Sequence, residues 1–173
     1  ILNNMSYIVV DIEADGPCPG LYSMVSFGAV VVRGDLKDTF YSEIIQPISD
    51  KWIPEALAVS KISRQDQLNG KNPARVMENF VEWIAKTTKG RPILYSDNNG
   101  FDWQFINWYF HHYVGSNPFG FSSTHLGSLY KGMMKDMHAS FKHLRDTKHT
   151  HNPVDDAKGN AEALLKMQAM GLN

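Results

Sequence analysis

The stretch Ile8-Val9-Val10-Asp11-Ile12-Glu13 decides how the rest of the chain is read. Its apolar, β-branched run predicts a buried strand. The run ends in two carboxylates spaced i, i+2. Alternate side chains of a strand share a face, so Asp11 and Glu13 point the same way. Neighbouring carboxylates repel, and a buried pair requires a neutralising partner. A divalent cation with oxygen ligands neutralises both and brings chemistry with it. Taken alone, the pair is better read as charges capping the solvated end of a core strand. The reading turns on whether other carboxylates and a base reach the same place.

Outward from that strand, Ala14 to Gly20 is a loop by its Gly and Pro content. Met24–Val32 predicts a second strand, Gly34-Asp35 a turn, and Thr39–Ile45 a third strand. Short connections imply an antiparallel meander, with the first strand central because its run is apolar on both faces. Ile53–Gln67 reads as short helical turns. Asn72-Pro73 opens a helix, Asn as N-cap and Pro at the first position, and Gly90 supplies the stop. Pro92–Ser96 is then a strand parallel to the first, and ligand sites gather at the carboxyl ends of such strands. Asp97-Asn98-Asn99-Gly100-Phe101-Asp102 follows it directly. A helix over Trp103–Tyr113, a short strand over Phe119–Ser122 and a helix over Thr124–Lys135 come next. A basic loop with a helical turn covers His138–Thr150, and the last helix opens at Pro153.

The 173 residues fit one domain, read as spanning 5–173, with Ile1–Asn4 a cloning remnant before Met5. Apolar residues at 43% and charged residues at 20% give an ordinary globular balance, and no apolar run approaches the ~20 residues needed to span a bilayer. The single Cys18 precludes an internal disulfide and suits a reducing compartment, so cytoplasm is expected. A net charge of −1 rules out a generic basic nucleic-acid coat. Locally, however, Lys131, Lys135, Lys142, Arg145 and Lys148 outnumber Asp136 and Asp146, with His138, His143, His149 and His151 among them. That strip reads either as a solvated face or as a phosphate-contacting surface.

The final helix begins His151-Asn152-Pro153-Val154-Asp155-Asp156-Ala157, which puts Asp156 in its first turn and lets the preceding loop carry His151 to the same end of the sheet. In order and spacing, these segments resemble the DEDDh group of 3′–5′ exonucleases, of RNase H-like fold. The first motif, D-x-E, is Asp11-Ile12-Glu13; the second, H-N-x-x-F-D, is Asp97 to Asp102; the third, H-x-x-x-x-D-A, is His151 to Ala157. The likeness spans Tyr7 to Met170. Asp97 stands where the family has His, and Ala14-Asp15 where many members have two Thr, so no role carries over to those side chains.

The resemblance implies an α/β fold with a mixed five-stranded sheet, antiparallel in its first three strands and then parallel, flanked by helices. It further implies two divalent cations, Mg²⁺ or Mn²⁺, on Asp11, Glu13, Asp102 and Asp156, with Asp11 bridging and His151 as general base. The expected reaction is metal-dependent hydrolysis of single-stranded RNA from its 3′ end to 5′-nucleoside monophosphates. RNA is favoured over DNA by the small size of the chain. A proofreading-like exodeoxyribonuclease is the alternative, and a non-catalytic nucleic-acid-binding module a more distant one. Ala14, Leu21, Tyr22, Met24, Asn98 and Phe101 are the residues expected beside the terminal nucleotide. No membrane partner is expected, and the aromatic surplus is compatible with a homodimer interface.

Overall fold

A computed structural model describes residues 5–172, so the remnant reading of Ile1–Asn4 lies outside the described residues, as does Asn173. The strands are β1 (Met5–Ala14), β2 (Met24–Val31), β3 (Thr39–Tyr41), β4 (Arg91–Ser96) and β5 (Ser123–His125). They form one sheet in the order β3-β2-β1-β4-β5. β1 is central, as its apolar run requires; it pairs antiparallel with β2 and parallel with β4. β3 adds antiparallel to β2, and β5 parallel to β4.

Two helical layers cover the sheet. Ile8, Val10 and Ile12 pack against α3 (Pro73–Thr87) and α4 (Asn99–Tyr113), through Val76, Phe80, Phe105 and Tyr109 among others. Val9 and Val30 face the other way, onto α5 (Leu126–Met134) and α6 (Pro153–Ala169), where Leu126, Ala157, Ala161 and Leu164 receive them. Burying each large aliphatic side chain contributes about 1.5–3 kcal/mol. This parity also fixes the site. Asp11 and Glu13 share the face of Val9 and therefore look towards α6.

The start of α6 is held tightly over that face. Asn152 caps it, its side chain accepting from the amides of Val154 and Asp155, with Pro153 at the first position. Gly28 of β2 lies opposite Asp11 in the sheet, and a Cβ there would stand 2.5 Å from the Pro153 carbonyl carbon and the Val154 amide nitrogen. Only backbone without a side chain admits the helix so close. Gly28→Ala should therefore push the N-terminus of α6 off the sheet. Overpacking of this kind costs about 1–3 kcal/mol. The variant is expected to melt several degrees lower and to lose metal-dependent activity as Asp156 leaves Asp11. An unchanged melting temperature would show that the helix yields freely.

Several boundaries differ from the sequence expectations. α4 begins at Asn99 rather than Trp103, so Asp102 stands in its first turn. The third strand pairs regularly only over Thr39–Tyr41, because Glu43 adopts φ +58°, although the Ile45 amide still donates to Val25. Phe119–Ser122 is not a strand: Gly120 (φ +81°) and the Asn117 side chain on the Phe119 amide make a turn that buries Phe119, and pairing starts at Ser123. The intervening short helices are α1 (Pro54–Val59) and α2 (Arg64–Leu68).

Candidate active site

A β-bulge ends β1: Glu13 lies opposite Ser26 but Ala14 opposite Met24. Such irregularities re-aim side chains at strand ends. Carboxylate oxygens of Asp11, Glu13 and Asp156 lie within 4.8 Å of one another. Asp102 arrives from α4, its Oδ1 accepting from the Ile12 amide at 3.3 Å, while its Oδ2 is buried with no hydrogen-bond partner. These groups resist ionisation together. Burial, then the charges of Asp102, Asp156, Glu13 and Asp97, hold Asp11 well above the usual carboxylate range. Burial and then Asp156 push Glu13 up to about 7. Burial also pushes Asp102 up to about 7, with Asp97 and Glu13 adding to it. An orphaned buried carboxylate oxygen among three further carboxylates is the donor set of a hard divalent cation.

Asp156 is nearly inaccessible and heavily held. Its Oδ1 takes the Arg145 guanidinium at 3.2 Å and the Thr150 amide at 3.0 Å, and its Oδ2 the His151 amide at 3.0 Å. His149 Nδ1 lies 3.0 Å from Oδ1. His151 sits in the left-handed region (φ +61°), a conformation that the two flanking amide contacts to Asp156 help to hold. Its Nδ1 stands 3.9 Å from Glu13 Oε1, with the side chain 41% exposed.

The five sequence-predicted site residues thus meet at one end of the sheet. The surrounding assignments fare differently. Met24 is fully buried, its amide donating to the Tyr109 hydroxyl at 2.8 Å, and offers no surface to a base. Ala14 is buried at the end of β1, whereas Leu21 is exposed. Tyr22 lies over Gly16, where a Cβ would come within 2.2 Å of the ring. Asn98 is exposed and its carbonyl accepts the Phe101 and Asp102 amides; Phe101 is half-buried with its ring against Phe105.

The basic strip is also rearranged. Arg145 is not a free phosphate ligand: its side chain is buried over Gly159, whose Cβ would stand 2.5 Å from Nε. Lys142 pairs with Asp97, which gives the residue in the family's His position a structural partner. Lys142 and Lys148 remain on the rim of a cleft of about 430 Å³, beside Thr147 and His149. Sequence reasoning also missed Asp15, fully buried and accepting from the Ser23 amide, Gln67 and Arg64. These contacts pin the loop after Glu13 to α2. Its surroundings in sequence, Ala14-Asp15-Gly16, carry only a loop signal.

The sequence profile of the Exonuclease (RNase T) family matches residues 8–164. The chain belongs to the DEDDh 3′–5′ exonuclease family. It is 36% identical, over 169 residues, to the 3′–5′ DNA exonuclease Cap18 of Escherichia coli, covering 90% of this chain and 88% of that one. Its fold matches the nuclease domain of 3′hExo, described as a DEDDh family member bound to rAMP, with a TM-score of 0.77 at 18% identity over 98% and 94% of the two chains. Escherichia coli exonuclease I in complex with a dT13 oligonucleotide matches with a TM-score of 0.67 at 17% identity, over 94% and 40%. The DEDDh exonuclease described here is therefore a metal-dependent 3′–5′ exonuclease on an RNase H-like fold. Among the described residues no helix is long and apolar enough to cross a membrane.

Proposed function

We infer that this chain hydrolyses single-stranded DNA from its 3′ end and releases 5′-deoxynucleoside monophosphates. The observation that carries the nuclease reading is the convergence of Asp11, Glu13 and Asp156 beside the unpartnered Oδ2 of Asp102. The choice of DNA follows the DNA exonuclease to which the chain is 36% identical along nearly its whole length. The expectation of RNA rested on small size, which makes no contact with a 2′-hydroxyl and so carries less weight. Two divalent cations, Mg²⁺ or Mn²⁺, held by Asp11, Glu13, Asp102 and Asp156, would supply charge stabilisation to the attacking and leaving oxygens.

The chain's own residues do the rest. His151 takes a proton from the attacking water through an imidazole nitrogen, and its exposed edge returns that proton to solvent. As the water oxygen bonds to phosphorus, the P–O3′ bond breaks and the shortened strand leaves with a 3′-hydroxyl. Arg145 and the amides of Thr150 and His151 keep Asp156 fixed throughout. Leu21 and Tyr22 flank the terminal base, and Lys142 and Lys148 meet upstream phosphates from the cleft rim.

Matched single-stranded DNA and RNA oligomers, labelled at the 5′ end and incubated with Mn²⁺ or with EDTA, test this reading. The expected result is a metal-dependent ladder shortening from the 3′ end, with DNA degraded at least about tenfold faster, as discrimination at the sugar allows. Faster cleavage of RNA would overturn the DNA assignment. No cleavage of either by folded, metal-bound protein would overturn the nuclease reading in favour of a binding module.

A further inference from the structure

We propose that His149, His151 and Asp156 form a second, nitrogen-rich metal site that captures Zn²⁺ or a similar borderline cation and switches the enzyme off. The three residues offer one ligand atom each within 4.8 Å of one another. His149 Nδ1 already lies 3.0 Å from Asp156 Oδ1, and the two imidazole rings meet edge to face with centroids 4.3 Å apart. Tetrahedral zinc, with bonds of about 2.0–2.2 Å, holds neighbouring ligand atoms roughly 3.3 Å apart. The half-exposed rings of His149 and His151 have room to close the remaining distance, and their exposure leaves the fourth position to water.

Asp156 stands between two donor sets of different character. Towards β1 it completes an all-oxygen cluster with Asp11 and Glu13; towards the Thr147–His151 loop it completes a set of two nitrogens and one oxygen. Hard Mg²⁺ and Mn²⁺ favour the first set, and imidazole draws zinc to the second. The carboxylate is pre-positioned for either role. Arg145 and two backbone amides hold it, as outer partners hold metal-ligating carboxylates elsewhere.

The sets are mutually exclusive in function because they share Asp156 and because His151 serves the second as a ligand. Zinc there would take the lone pair with which His151 accepts a proton and turn the ring away from Glu13, 3.9 Å distant. The binding argument stands on geometry alone; its inhibitory consequence rests on the proposed function. His149 is the distinguishing residue, since it belongs to the nitrogen set and not to the carboxylate cluster.

Calorimetric titration of the whole chain with ZnCl₂, in excess Mg²⁺, tests the proposal without reference to nuclease activity. The expected result is one zinc per chain, with affinity reduced at least about tenfold in His149→Ala, as loss of a direct ligand requires. The affinity of the same variant for Mn²⁺ should change far less. Co²⁺ as a probe should give intense visible bands of four-coordinate geometry in the parent chain, diminished in His149→Ala and retained in His138→Ala, whose histidine lies outside the cluster. In the hydrolysis assay, the zinc concentration that halves each variant's own Mn²⁺-driven rate should rise by a similar factor for His149→Ala. Equal zinc affinity of the parent and His149→Ala would overturn the site, as would no zinc binding in the presence of Mg²⁺. Zinc binding that depends on His149 but leaves hydrolysis untouched would overturn the switch.

Discussion

Asp11→Asn is expected to reduce hydrolysis by on the order of a thousandfold or more while making the metal-free protein more stable. Both effects have one source. Asp11 is the carboxylate most strongly opposed by its surroundings, held above its ordinary range by burial and by Asp102, Asp156, Glu13 and Asp97. Asparagine keeps its shape and removes the charge, so repulsion within the metal-free cluster falls. The same change removes the carboxylate that reaches both Glu13 and Asp156. Cations on phosphoryl oxygens contribute several kcal/mol of charge stabilisation, and each 1.36 kcal/mol is tenfold in rate. Activity on a labelled oligomer and melting in EDTA report the two effects separately. A variant that is inactive and also less stable would mean Asp11 is a structural residue; one that is fully active would remove the metal-site model.

Much of this was legible in the sequence because it depends on local rules. The period of two in Ile8–Glu13 put Asp11 and Glu13 on one face, and the unbroken apolar run Ile8-Val9-Val10 implied a strand covered on both sides. The Asn72-Pro73 and Asn152-Pro153 pairs marked helix starts that the structure bears out to the residue. What stayed hidden depends on contacts distant in the chain or on side-chain burial. Arg145 and Lys148 look alike in a basic strip, yet one is buried on Asp156 and the other is exposed to solvent. His149 has no motif, because its significance comes from the fold of the loop before α6. Asp15 reads as a turn residue until Arg64 and Gln67, about fifty positions on, close over it. Phe119 was read as strand because it is apolar, but a buried aromatic anchors a turn equally well.

Those hidden contacts explain how an acidic cluster persists in a folded chain. Asp156 is stabilised from behind by Arg145 and two amides, and Asp102 by the Ser96 hydroxyl and the Ile12 amide, whereas Asp11 and Glu13 face the cluster with their charge unrelieved. The unrelieved charge should appear as a pH dependence of stability that a metal abolishes.

In EDTA, the melting temperature is expected to fall as pH rises from about 5 to about 8, with Glu13 the residue that sets the window. Its folded-state pKa, pushed up to about 7, lies above the ordinary value of 4.5. Below the lower value both the folded and the unfolded chain hold the proton, and Glu13 leaves stability unchanged. Between the two values the unfolded chain releases a proton that the folded chain keeps, so stability declines; above about 7 the loss is complete and constant. At 1.36 kcal/mol per pH unit the decline from Glu13 is on the order of 3 kcal/mol. For a chain of this size that corresponds to roughly 6–12 °C. Asp102, pushed up to about 7 by burial, acts in the same direction. Millimolar Mn²⁺ should restore stability most at the alkaline end, where the carboxylates are ionised and able to bind it. Glu13→Gln should flatten the EDTA profile, and melting curves across the range read the difference directly. A metal-free melting temperature that rises over this interval would mean the carboxylates are already neutralised by the protein itself, and the cluster would then have no need of a cation.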